Sequence, residues 1–187
     1  FVQLMQKLLD WTLDAIRMED SSFSWIEEYR YDWVPLIERA IVKILNCQAV
    51  LILTDDKRAW FEDYIMINMN NPDFDRPFLP FYSLKKLFPH IPQVTSKEDL
   101  DFLDDMLTLT YPNGYFIWYI GKSDHFHTKF AFRCDGNLLW MIGDDVTNGF
   151  KIKDGIASLD IRLIQLFKIF NKTINAGLFN EVKLDVK

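Results

Sequence analysis

The sequence predicts an α/β protein of three layers, with about five mostly parallel strands between helices on both faces. Three observations lead there. Short, continuous apolar runs such as "QAVLIL" and "YFIWYIG" have the length and residue types of strands buried on both sides. Between them lie stretches whose apolar residues recur every three to four positions, as on helices. From residue 48 onward the two patterns alternate, which is the signature of parallel strands joined by crossover helices. A length of 187 residues suits one domain, 1–187, with a substantial core, and a hydrophobic share of 49% excludes a disordered chain.

Taken in order, residues 2–19 place Leu4, Leu8, Trp11 and Ala15, with Met5, Leu9 and Ile16, on a wide apolar band, which predicts a helix. Ser24-x-x-Glu27 matches a capping box and opens a second helical region, which Pro35 is expected to break or restart. "QAVLIL", 48–53, is the first strand, and Thr54 or Asp55 caps the helix that follows through Trp60, Phe61, Tyr64, Ile65 and Met69. "NNPDFDRP", 70–77, is a loop. "FLPFYS", 78–83, reads as a strand whose proline places it near a sheet edge. Ser96-x-x-Asp99 starts a helix carrying Leu100, Leu103 and Leu107, and Pro112-Asn113-Gly114 turns into the strand 115–121. Residues 123–134 lean to helix, 137–143 and 150–154 to strands, and 158–180 to a long closing helix. In that helix Leu163, Phe167 and Phe170 share one side, widened by Ile161, Ile164 and Ile169. A helix so apolar suits a subunit interface, and Leu163, Phe167 and Phe170 are the candidate oligomer contacts.

Composition narrows the function. A net charge of −6 disfavours direct binding to the phosphate backbone of DNA or RNA. Cys47 and Cys134 are far apart and read as reduced, partly buried thiols. The opening stretch is punctuated by charges, and no apolar run approaches the ~20 residues that span a bilayer. A cytoplasmic protein is expected, without membrane contact.

In open parallel sheets ligands bind beyond the carboxyl ends of the strands. No GxGxxG, GxxxxGK[ST] or GxSxG occurs there, and only 7 glycines are present where average usage of ~7% would give about 13. Phosphates are usually approached by backbone that only glycine allows. Asp55-Asp56 and Asp144-Asp145 stand at strand ends where carboxylates can hold Mg²⁺ for phosphoryl transfer, but no base or phosphate loop accompanies them. His125-x-His127 lacks a third metal ligand and reads as surface histidines. No cofactor is implied. The stretch from Asp55 to Tyr64 differs in kind. Asp55, Lys57 and Arg58 are followed by Trp60, Phe61 and Tyr64, a mixture that fits a protein-binding patch, and Arg76 is added to it as a nearby cation.

The blocks "SWIEEYRYDWVPLI", "VLILTDDKRAWFEDYIMINMN", "RPFLPF", "FIWYIGK", "LLWMIGD" and "LDIRLIQLFKIF", in that order, resemble the HobA family from about Trp11 to Leu184. The resemblance implies a SIS-like, flavodoxin-like fold and a role similar to that of DiaA. It implies a homotetramer, or dimer of dimers, that binds the N-terminal domains of several molecules of the initiator DnaA and promotes their assembly at the origin without enzymatic activity. Where SIS enzymes hold a sugar phosphate on a serine- and glycine-rich turn, this chain has "FYSLKKLFPHIP", with Ser83 and no glycine. A SIS-type sugar-phosphate protein, or a Mg²⁺-dependent phosphoryl-transfer enzyme, is the competing expectation.

Overall fold

"QAVLIL" becomes a strand buried along its whole length, and the sheet is built outward from it. The structure is a computed structural model and describes residues 6–184. The elements are β1 (Gln6–Lys7), α1 (Leu8–Arg17), α2 (Trp25–Leu45), β2 (Ala49–Thr54), α3 (Ala59–Met69), β3 (Phe81–Ser83), α4 (Leu84–Leu87), α5 (Lys97–Thr110), β4 (Tyr115–Gly121), α6 (Thr128–Ala131), β5 (Leu138–Ile142), β6 (Gly149–Ile152), α7 (Leu159–Leu178) and β7 (Val182–Lys183). Short 3₁₀ turns occupy Ser21–Phe23, Asp56–Arg58 and Ile91–Gln93. The chain divides into two compact units, Asn46–Asp154 and a second drawn from both ends of the sequence.

The Asn46–Asp154 unit holds the five-stranded sheet, in the order β3-β2-β4-β5-β6, with every neighbouring pair parallel. After β2 the chain steps to the edge strand β3 and then crosses back past β2 to β4. Right-handed crossovers in opposite directions put α3 and α5 on opposite faces. The core agrees. Leu51, Leu53, Ile117, Tyr119, Leu139 and Met141 pack with Leu100, Leu103 and Leu107 of α5 and with Phe130 and Ala131 of α6. Strand residues of the other parity lie with α3, where the Phe61 ring is stacked 6.3 Å from Trp140 and Trp140 meets Trp118 edge-on at 4.8 Å. The predicted strand 78–83 contracts to Phe81–Ser83, which begins just after Pro80 and stands at the edge where a proline is tolerated. Only Thr128–Ala131 of the segment expected to be helical at 123–134 is α-helix. The Thr128 hydroxyl donates to the carbonyls of Ser123 and His125, which favours tight turns ahead of it.

In the second unit α1, α2 and α7 pack on one another, and Gln6–Lys7 pairs in parallel with Val182–Lys183. The helix predicted over 2–19 starts at Leu8, and Leu4 and Met5 lie outside the described residues. Ser24 stands just before α2 as its motif requires, but the Glu27 carboxylate faces Arg17, 3.2 Å away, instead of closing a capping box. Pro35 does not break α2, which is continuous from Trp25 to Leu45. Burial of Trp33, Val34, Leu36, Ile37, Ala40 and Ile41 on both sides of the proline outweighs its missing backbone donor. A Cβ on Gly177 of α7 would lie 2.9 Å from Ile41, so the bare glycine permits this close helix approach.

Two expectations are corrected here. Leu163, Phe167 and Phe170 are 0%, 4% and 0% exposed, so they are core residues of the single chain and not a face offered to another subunit. The centre of the apolar band on α7 turns inward, and its margin, Ile161, remains 58% exposed. Cys47 and Cys134 are both exposed free thiols, not partly buried ones.

Candidate functional site

The sheet order makes the gap between β2 and β4 the point where connections leave in opposite directions, and ligands of such folds bind there. The chain fills it with its own side chains. Asp55 follows β2 directly; its Oδ1 accepts the Arg58 backbone N–H at 3.1 Å and caps the 3₁₀ turn. Its Oδ2 accepts both the Arg58 guanidinium and, at 2.9 Å, the N–H of Lys122 at the end of β4. Ion pair and strand end are thereby joined across the crevice, and both side chains are buried. Tyr119 closes the group by donating to the Lys122 carbonyl at 2.7 Å, and burial together with the Asp55 charge pushes its phenol well above the ordinary range. A Cβ on Gly121 would sit 2.6 Å from the Tyr119 hydroxyl and 2.7 Å from Asp55 Oδ2, so glycine serves here to admit side chains, not a phosphate.

A second set of bonds ties the neighbouring strand end. Thr54 donates from Oγ1 to the buried Glu62 of α3 at 3.1 Å, and the other Glu62 oxygen accepts the Ser83 hydroxyl at the end of β3. Ser83 also takes the Lys86 N–H and caps α4. The Thr54 carbonyl accepts Nδ1 of His127 at 2.9 Å, which assigns the proton to Nδ1. His127 is buried, not the surface residue expected, and its Nε2 has no partner among the described residues. Burial pushes its pKa down to about 4, since an imidazolium there would carry an unsatisfied N–H. His125 is half-buried, with Nε2 3.5 Å from the exposed Asp56.

These contacts weigh against the enzyme expectation. Both oxygens of Asp55 are already bonded, and the Ser83 hydroxyl is committed to Glu62. Asp144, which would share a cation with Asp55, instead accepts from Ser123, whose hydroxyl holds its carboxyl below the usual range. Among the described residues no group of three or more His, Cys, Asp and Glu is placed to hold a metal ion.

The candidate patch divides accordingly. Asp55, Arg58 and Phe61 are buried, with Phe61 0% exposed, so none of the three presents a binding surface; Arg58 points inward, where the buried Asp55 carboxylate pairs with its charge. Arg76 is half-buried and donates to the Met69 carbonyl at the end of α3, where burial pushes its pKa down to about 10. It works as a cation on a helix C-terminus and stacks on Phe74, 4.9 Å from the ring centroid. What faces outward is Lys57, Trp60 and Tyr64, exposed or half-buried, joined by Ile67, 74% exposed. Trp60, Tyr64 and Ile67 stand at i, i+4 and i+7 and form one stripe on the outer side of α3. The sequence reading missed Ile67, although its spacing from Trp60 was the available signal. Beside the stripe Asp63 pairs with Lys86 at 2.6 Å.

A family model described as HobA, a DNA replication regulator, matches residues 5–184. The chain belongs to the HobA family. The DNA replication regulator protein HobA of Helicobacter pylori is 27% identical over 188 residues, spanning 96% of this chain and all of that protein. Two solved structures are also similar. The crystal structure of HobA from Helicobacter pylori aligns with a TM-score of 0.75 at 25% identity, covering 96% of this chain and 99% of the other. A HobA–DnaA (domain I–II) complex from the same organism aligns with a TM-score of 0.72 at 25% identity, covering 96% and 100%. The likeness to the HobA fold therefore spans 96% of the chain. Among the described residues no helix is long and apolar enough to cross a membrane.

Proposed function

We propose that this HobA-family chain is a non-enzymatic adaptor that binds the N-terminal region of the initiator DnaA through the outer face of α3. Lys57, Trp60, Tyr64 and Ile67 form the contact. Arg76, Asp55, Arg58 and Phe61 hold that face in place from beneath. The observation that carries the reading is the character of α3, which is apolar toward the sheet and apolar again on the side left to solvent. A helix with two apolar faces and one of them bare calls for a protein cover. The relative solved with DnaA supports DnaA as that partner.

The mechanism is multivalency. As a homotetramer the protein holds several initiators at once, which raises their local concentration at the origin without a new contact to DNA. A chain of net charge −6 leaves DNA binding to DnaA. The test is capture by an immobilised DnaA N-terminal fragment. Trp60→Ala and Ile67→Asp are expected to weaken capture about tenfold or more, the cost of losing an exposed aromatic or apolar anchor, with the light-scattering mass unchanged. Undiminished capture by both variants removes α3 as the site, and a wild-type monomer at micromolar concentration removes the multivalent mechanism.

A further inference from the structure

The sheet's other face carries a second bare apolar stripe, on α5. Leu100, Leu103 and Leu107 bury one side of this helix at 9%, 3% and 2% exposure. Phe102, Met106 and Leu109 lie on the opposite side and are 67%, 39% and 84% exposed. Their spacing, i, i+4 and i+7, aligns them along two turns, so they form one surface and not three scattered residues. The capping box of Ser96 and Asp99 fixes the start of the helix, and Arg133 holds Asp101 to its flank.

Charge selects what covers this stripe. Between Lys97 and Thr110 the helix carries Glu98, Asp99, Asp101, Asp104 and Asp105. Asp99 is used in the capping box, Asp101 pairs with Arg133 and Asp104 accepts from Tyr115. Glu98 and Asp105 are exposed, border the stripe on one side and have no ion pair among the described residues. A second copy meeting this face about a twofold axis would bring the same carboxylates against themselves. A cationic partner would meet them with opposite charge.

We propose that the outer face of α5 is a second docking surface, separate from α3, for a basic amphipathic helix of another protein. The partner's apolar side covers Phe102, Met106 and Leu109, and its Lys or Arg residues meet Glu98 and Asp105. Because α3 and α5 lie on opposite faces of the sheet, both surfaces are open in one subunit.

The probe is a fluorescent 18-residue peptide of Leu and Lys with leucines at i, i+3, i+4 and i+7, read by anisotropy against the full chain. Two controls accompany it, a scrambled peptide of the same composition and one with Glu replacing every Lys. Wild-type protein is expected to prefer the basic amphipathic peptide about tenfold or more over both controls. Phe102→Ser/Leu109→Ser and Glu98→Lys/Asp105→Lys each remove that preference, while circular dichroism, oligomeric mass and capture of the DnaA fragment stay unchanged. The proposal is overturned by equal binding of the scrambled peptide, by retained preference in both double variants, or by loss of DnaA capture in them, which would make α5 the DnaA surface. A change of oligomeric mass in Phe102→Ser/Leu109→Ser also overturns it, since a second copy would then cover the stripe.

Discussion

Single residues show how far burial changes the meaning of a side chain. Arg58 and His127 carry the polar identity of surface groups, yet both are buried and serve the crevice between β2 and β4. His127 gives a pH dependence whose sign follows from its environment. Burial lowers its pKa from the usual 6.5 to about 4, so between these values the unfolded chain binds more protons than the folded one. Its contribution is complete above pH 6.5 and falls as pH drops toward 4, by up to roughly 3 kcal/mol. Urea unfolding of wild type and His127→Gln at pH 7 and pH 4.5 tests this. The wild type should lose more stability between the two than the variant, and equal losses would deny His127 the role. A cap at Thr54 or Asp55 was legible because capping is local, although Asp55 caps the 3₁₀ turn Asp56–Arg58 and α3 itself begins after Arg58 without a side-chain cap. The partner of Asp55 across the crevice, the Lys122 N–H, is 67 positions away and had no signature in the sequence.

At the scale of elements, local rules succeeded where the element closes on itself. The Ser96 capping box, the strand at Tyr115–Gly121 and the edge placement of the proline-flanked β3 all follow from residue types and spacing. They failed where packing overrides propensity. Pro35 lies exposed within α2, and the helix persists because apolar residues before and after it are buried together. Pro35→Ala restores a backbone donor without disturbing the core and is expected to raise stability by about 1–3 kcal/mol. An unchanged denaturation midpoint would mean that α2 has adapted fully to the proline. The breadth of the apolar band on α7 was visible in the sequence, but its rotation was not. Leu163, Phe167 and Phe170 face inward, and Ile161 is what remains outside.

For the whole molecule, the proposal turns on display. With both Asp55 oxygens bonded within the chain, the proposed binding surfaces lie on the helices, α3 on one face of the sheet and α5 on the other. Multivalent holding of DnaA requires contact between copies of the chain, and Ile161 is the exposed member of the α7 band available for it. Ile161→Glu is expected to lower the light-scattering mass at an unchanged melting temperature. Release from a surface dense in DnaA fragments should then quicken about tenfold or more, with single-site affinity in solution retained. Unaltered mass would place the contact between subunits elsewhere.

Periodicity, turn residues and the lack of glycine at strand ends are properties of neighbouring positions. They were enough for the α/β class, the parallel sheet and its edge strand. Which side of each apolar helix is buried, and whether "TDDKR" reaches outward or folds into the crevice, depends on contacts between residues tens of positions apart. Those contacts put Asp55 and Arg58 inside and left Trp60, Tyr64 and Ile67 outside. A buried charge must find its partner across the fold, and only folding brings the partner there.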